Sequence, residues 1–137
     1  MPFYDADDFH PASNKEKMAG GHPLDDADRM PWLETLAGQL PAWENDGGAV
    51  LACSALKESY RVKLQSQCGE SVRWVFLDAP EAVLADRLAS REGHFFDRNL
   101  LGSQLEALEM PDYGWCVDVE SPPQEIVNTI LKRLRDE

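Results

Sequence analysis

Asp5 and Asp7 lie two residues apart where a short apolar run, PFYD at 2–5, ends in acid, and Asp8 follows at once. If residues 2–5 form a strand, both carboxylates leave the sheet at the same end and can reach one cleft. Carboxylates placed there could orient or deprotonate a hydroxyl and stand near a divalent cation during phosphoryl transfer. The same cluster also fits a solvated acidic turn, because short acidic runs usually lie at the surface. Lys57 and Arg61 are four apart, which puts them on one face of a helix opening after Ser54, near an N-terminus that itself favours anions. An organic carboxylate needs such partners, although Lys57 alone also reads as a solvated helix residue. Arg87 and Arg91 repeat the spacing and precede Glu92-Gly93-His94-Phe95-Phe96, where glycine permits a hinge. They either meet phosphates or form a surface pair. The three histidines and three cysteines show neither metal-ligand spacing nor a C-x-x-C pair, so the thiols read as reduced and mostly buried.

These groups depend on elements that the patterning specifies. Trp32, Leu33, Leu36, Ala37 and Leu40 fall at helical spacing, with Asp28 as the expected N-cap and Pro31 in the first turn, where its missing N–H costs nothing. The run AVLAC at 49–53, bounded by Gly47-Gly48 and Ser54, predicts a strand buried on both faces, followed by a helix capped by Ser54. VRWVFL at 72–77 predicts another strand, and Asp78 with Glu81 a capping box for a helix through Leu88. Leu101, Leu105 and Leu108 share a helical face that stops before Pro111, and WCVDV at 115–119 predicts the last strand. Ser121, Pro122 and Gln124 then open a final helix with Ile126, Val127, Ile130, Leu131 and Leu134 on one face and Lys132, Arg133 and Arg135 at its C-terminal end. Strands alternating with helices predict an α/β fold: a parallel sheet with flanking helices.

The 137 residues suit one domain. No apolar run approaches the roughly 20 residues that span a bilayer, and MPFYDADDFH does not read as a secretory signal, so the expected location is cytoplasmic with no membrane partner. A net charge of −12 argues against nucleic acid as a partner and requires any phosphate binding to be local.

Five segments in order carry a more specific message: DADDFHPASNKEKM at 5–18, GHPLDDADRMPWL at 21–33, CSALKESYR at 53–61, RLASREGHFF at 87–96 and LLGSQLEALE at 100–109. They match the patterns D-x-D-x-x-H-P-x-x-N-x-x-K-M, G-x-P-L-x-D-x-D-R-x-P-W-L, C-S-A-L-K-x-x-Y-R, R-x-G-H-F and S-Q-x-x-x-L-E. The chain thereby resembles the gluconokinase family of P-loop small-molecule kinases over essentially its whole length. Shikimate and adenylate kinases share the layout, but not C-S-A-L-K-x-x-Y-R with R-x-G-H-F. The resemblance implies a P-loop kinase-like fold and transfer of the ATP γ-phosphate to the 6-hydroxyl of D-gluconate, with ATP and Mg²⁺ as cofactors. It implies that Asp5 acts near Mg²⁺ through water and that Asp7 holds and deprotonates the substrate hydroxyl. His10, Arg29, Lys57 and Arg61 fall on the gluconate side. Arg87 and Arg91 fall in a lid at 87–110 that brings arginine to the ATP phosphates. Monomer and homodimer both stay open.

The strand, G-x-x-x-x-G-K-[ST] loop and helix with which such kinases begin are absent from these 137 residues. The expectation is a single N-terminally truncated domain, inactive by itself, that retains the gluconokinase pocket. A non-catalytic sugar-acid-binding or regulatory remnant is the alternative, and a product that keeps only the fold is a third reading. By resemblance the strand order is 2-3-1-4-5. The central slot between 49–53 and 72–77 should then stand vacant, with no ladder joining those two strands.

Overall fold

The computed structural model describes residues 1–80, 82–83 and 104–136. They form two compact units, one from 1–72 with 104–110, the other from 73–80, 82–83 and 111–136.

In the first unit, β1 (Phe3–Asp5) and β2 (Val50–Ala52) pair in parallel, with Phe3 opposite Val50 and Asp5 opposite Ala52. A parallel pair needs a long crossover, supplied by a 3₁₀ turn (Ala6–Phe9), α1 (Ala12–Ala19) and α2 (Asp26–Asn45). Trp32, Leu33, Leu36 and Ala37 are the buried stripe of α2, joined by Met18 of α1 and by Tyr60 and Leu64 of α3 (Glu58–Gln65). Trp32 also donates from Nε1 to the Ala6 carbonyl at 2.7 Å, which ties the chain after β1 to the core.

Three local expectations change. The α2 N-cap is Asp25, because Asp25 and Asp28 form a reciprocal capping box: the Asp25 carboxylate accepts from Asp28 N at 2.7 Å, and the Asp28 carboxylate from Asp25 N at 3.0 Å. Two orphan donors are satisfied where a cap at Asp28 would satisfy one. Pro31 therefore lies inside the helix, as does Pro41, and the buried stripe keeps the helix continuous through both. Next, β2 is not buried on both faces: Val50 is 51% exposed and Leu51 half-buried, since among the described residues only β1 pairs with it. Finally, Ser54 does not cap α3. Ala55 takes φ +36°, which breaks the right-handed run, and the helix opens three residues later with Lys57 at its N-cap.

In the second unit, β3 (Val75–Asp78) pairs in parallel with β4 (Trp115–Asp118). Gly114 leads into β4 at φ +81°, where a Cβ would stand 2.8 Å from the Trp74 carbonyl oxygen. Only glycine fits that approach. The last helix, α4 (Pro123–Arg135), is capped by Pro122 and not by Ser121, with Pro123 in the first turn. Its apolar face is not buried: Val127, Leu131 and Leu134 are all more than two-fifths exposed. Of the thiols, Cys116 on β4 is exposed, while Cys53 and Cys68 are half-buried. The fold is α/β with parallel pairing and flanking helices: β1 pairs with β2 and β3 with β4. The predicted helix after β3 is seen only at 82–83, and that of Leu101, Leu105 and Leu108 only at 104–107.

Candidate active site

Asp5 ends β1, and its Oδ1 accepts from Asp7 N at 3.0 Å, so the pair predicted at the strand end is held in one tight turn. Both carboxylates stand close enough to Cys53, just past β2, for their charge to matter there. Burial first, and then Asp7 and Asp5, push the Cys53 thiol up to about 12. The ends of β1 and β2 thus converge, as parallel pairing requires.

His10 follows the turn. Its ring is buried and stacks on Trp32 with centroids 4.2 Å apart. Asn14 Nδ2 donates to the Asp28 carbonyl at 2.8 Å and contacts His10 Nδ1 at 3.2 Å. Because the Asp28 carbonyl can only accept, the Asn14 nitrogen must face it, and that same nitrogen makes His10 Nδ1 the acceptor. The His10 proton therefore sits on Nε2, which lies 3.9 Å from Asp7 Oδ1. Burial, aided by the charges of Arg29 and Lys15, lowers the ring to about 4, so it is neutral at pH 7. A neutral donor side thus faces Asp7.

On the same unit, Leu24, Asp25, Asp26, Ala27, Arg29, Lys57 and Ala107 line a pocket of about 460 Å³. Arg29, in the second turn of α2, is buried; its Nη1 donates to Tyr60 Oη at 2.9 Å. Tyr60 in turn donates to Asp26 Oδ1. Lys57 Nζ reaches Asp26 Oδ1 at 3.0 Å and Oδ2 at 3.4 Å. The Tyr60 and Lys57 hydrogen bonds hold the Asp26 carboxyl below its ordinary value. The Asp26 bond raises Lys57, and burial raises Tyr60. At pH 7 the pocket wall therefore carries an ionised Asp26–Lys57 pair and a guanidinium, backed by the buried Tyr60 phenol.

Arg61 is placed differently from the shared helix face predicted for it and Lys57. Lys57 is the N-cap of α3, and the Arg61 guanidinium turns onto backbone: Nη1 donates to Ala55 O at 2.7 Å and Leu56 O at 3.4 Å, and Nη2 to Glu109 O at 2.6 Å. Glu109 N donates to Leu56 O at 2.7 Å, and the Glu109 carboxylate accepts from Glu58 N at 2.8 Å. Arg61 thus clamps the loop that presents Lys57 against the segment that carries Ala107. Arg87 and Arg91, with His94 and most of the predicted lid, lie outside the described residues.

Asn14, Asp26 and Tyr60 are not among the residues singled out from the sequence, and the structure joins them to His10, Lys57 and Arg29; all three occupy named positions of the quoted patterns. Among the described residues no three His, Cys, Asp or Glu side chains gather to hold a metal ion.

No family model matches the chain. It is 38% identical to a probable gluconokinase of Dictyostelium discoideum over 97% of this chain and 73% of that protein. Against the gluconokinase of Gluconobacter oxydans the identity is 48%, over 80% of this chain and 61% of that one. The crystal structure of a gluconokinase from Sinorhizobium meliloti superposes with a TM-score of 0.84 at 43% identity, covering 97% of this chain and 78% of that one. The fold is accordingly that of the P-loop kinases. With relatives this similar over most of their length, the chain belongs to the gluconokinase family.

Proposed function

We propose that this chain supplies the sugar-acid side of an ATP-dependent gluconokinase that phosphorylates the 6-hydroxyl of D-gluconate to give 6-phosphogluconate. The observation that carries the reading is the pocket in which buried Arg29 and the Lys57 ammonium converge, on the same unit as the Asp5–Asp7 turn. Arg29 and Lys57 receive the carboxylate of the sugar acid, with the Tyr60 hydroxyl beside them. Asp7 accepts the proton from the 6-hydroxyl as the oxygen bonds to the γ-phosphorus and ADP departs. His10, neutral and with its Nε2 3.9 Å from Asp7 Oδ1, places no cation beside Asp7 that would weaken it as a base. Arg61 holds the Lys57 loop in place.

Mg²⁺ bound with ATP would supply neutralisation of the phosphate charge. That ion takes one or two carboxylates together with phosphates and keeps several waters. Asp5, at the strand end with one oxygen engaged by Asp7 N, would meet such an ion through water. Arg87 and Arg91 are assigned to the ATP phosphates on the strength of their motif. No helix among the described residues is long and apolar enough to cross a membrane, and we place the protein in the cytoplasm.

Calorimetric titration of D-gluconate into the chain tests the reading. Lys57→Ala should weaken gluconate about tenfold while leaving the weak binding of neutral D-glucitol unchanged, since only the acid offers an anion to the ammonium. Equal affinity for gluconate and glucitol would refute it.

A further inference from the structure

The cations assigned to the substrate carboxylate already hold one. Lys57 Nζ contacts both oxygens of Asp26, Tyr60 donates to the same carboxylate, and Arg29 reaches it through Tyr60. Asp26 is not needed there for the helix. It is the first residue of α2, whose capping is performed by its neighbours Asp25 and Asp28. Nor is it packed: its side chain is 63% exposed, against 31% for Lys57. Rotation about its own side-chain bonds would clear the site without moving Trp32 or Leu33. Two of the groups around it, by contrast, are built in: the Arg29 guanidinium is 8% and the Tyr60 phenol 3% exposed.

We infer that Asp26 is a tethered internal carboxylate that occupies the anion position of this pocket and must be displaced by the incoming acid, which makes it a specificity-determining residue. The inference rests on the proposed gluconate reading for the identity of the acid, but not for the presence of an anion position. Exchange of one carboxylate for another leaves the ion pairing nearly unchanged. A tethered group acts at an effective concentration of millimolar or more, so a simple anion that offers nothing else loses the competition. A polyhydroxy acid brings hydroxyl groups that make further contacts, and these supply the surplus that drives displacement. The pocket therefore rejects small carboxylates that share only the head group, even though its cations would attract them.

The test compares acetate and D-gluconate by NMR titration of the 137-residue chain, its Asp26→Asn variant and an Asp25→Asn variant. Asp25 lines the same pocket, so Asp25→Asn removes the same formal charge while asparagine keeps the N-cap. Acetate should bind Asp26→Asn at least about tenfold more tightly than wild type, and Asp25→Asn no more than about twofold more tightly, as expected for a through-space charge alone. Gluconate should tighten in Asp26→Asn by a smaller factor, since part of its affinity lies in contacts that Asp26 does not oppose. Asp26→Ser, which also removes the carboxylate, should reproduce Asp26→Asn. Weaker gluconate binding in Asp26→Asn would make Asp26 a ligand for the substrate and overturn the inference. Unchanged acetate binding, or an equal gain in Asp25→Asn, would overturn it as well. If acetate tightens as stated while gluconate binds none of the four proteins, the internal ligand stands and the sugar-acid reading falls.

Discussion

Replacing Arg61 by methionine separates a positioning role from direct binding. The guanidinium is buried, with its side chain 5% exposed, and it donates to Ala55 O at 2.7 Å and Glu109 O at 2.6 Å, with a longer contact to Leu56 O at 3.4 Å. Methionine fills similar volume but leaves those carbonyls without their charged donor. Hydrogen bonds to a charged group are each worth about 1.5–3 kcal/mol, and two strong ones are lost. Loop carbonyls recover part of this from water, so the expected net cost is about 2–4 kcal/mol, out of a total of about 5–15 for a domain. With a urea slope of about 1–3 kcal/mol per molar, the unfolding midpoint should fall by roughly 0.7–4 M at unchanged slope. Arg61→Lys should recover little, because one ammonium cannot serve carbonyls on two segments as the planar fork does. Gluconate affinity should fall in both variants together with the midpoint, since Lys57 is presented by the clamped loop. An Arg61→Met variant that keeps its unfolding free energy within about 0.5 kcal/mol of wild type and yet loses gluconate would refute the positioning role and make Arg61 a ligand.

Three further outcomes follow from the same geometry. The fold holds His10 neutral by lowering it from the ordinary 6.5 to about 4, so its contribution is fully present above about pH 6.5 and is lost as pH falls towards 4. Up to about 3 kcal/mol is at stake, and an NMR titration of His10 with a midpoint near 6.5 would contradict it. In phosphoryl-transfer assays of the chain joined to a P-loop strand and helix, Asp7→Asn should lower kcat by about 10²–10⁴-fold with little change in KM, as loss of a general base does; near-normal kcat would remove Asp7 from that role. Gly114→Ala should lower stability by about 1–3 kcal/mol, because φ +81° and the contact with Trp74 O act together; an unchanged urea midpoint would show that the turn relaxes freely.

The order of five spaced patterns along the chain carried the resemblance to the family, which relatives 38% and 48% identical bear out. The alternation of strands and helices likewise established the α/β class, since burial of apolar runs and faces is dictated by local period. Sequence alone also placed Asp5 and Asp7 at the end of β1, where a strand must release them. It did not reveal how polar groups choose among partners. Asp25, Asp26 and Asp28 are chemically equivalent in the sequence, yet two cap α2 and the third turns to Lys57 and Tyr60. Lys57 and Arg61 read as a matched pair four apart, yet Ala55 at φ +36° delays the helix, so one faces the pocket and the other the backbone. The physical reason is that hydrophobic periodicity is a local property, whereas a buried charge is settled by whichever carbonyls and carboxylates the distant segments bring within about 3 Å of it. For Arg61 that segment is Glu109, 48 residues away, and for Asp26 it is Tyr60, 34 residues away; only the folded chain brings either pair together.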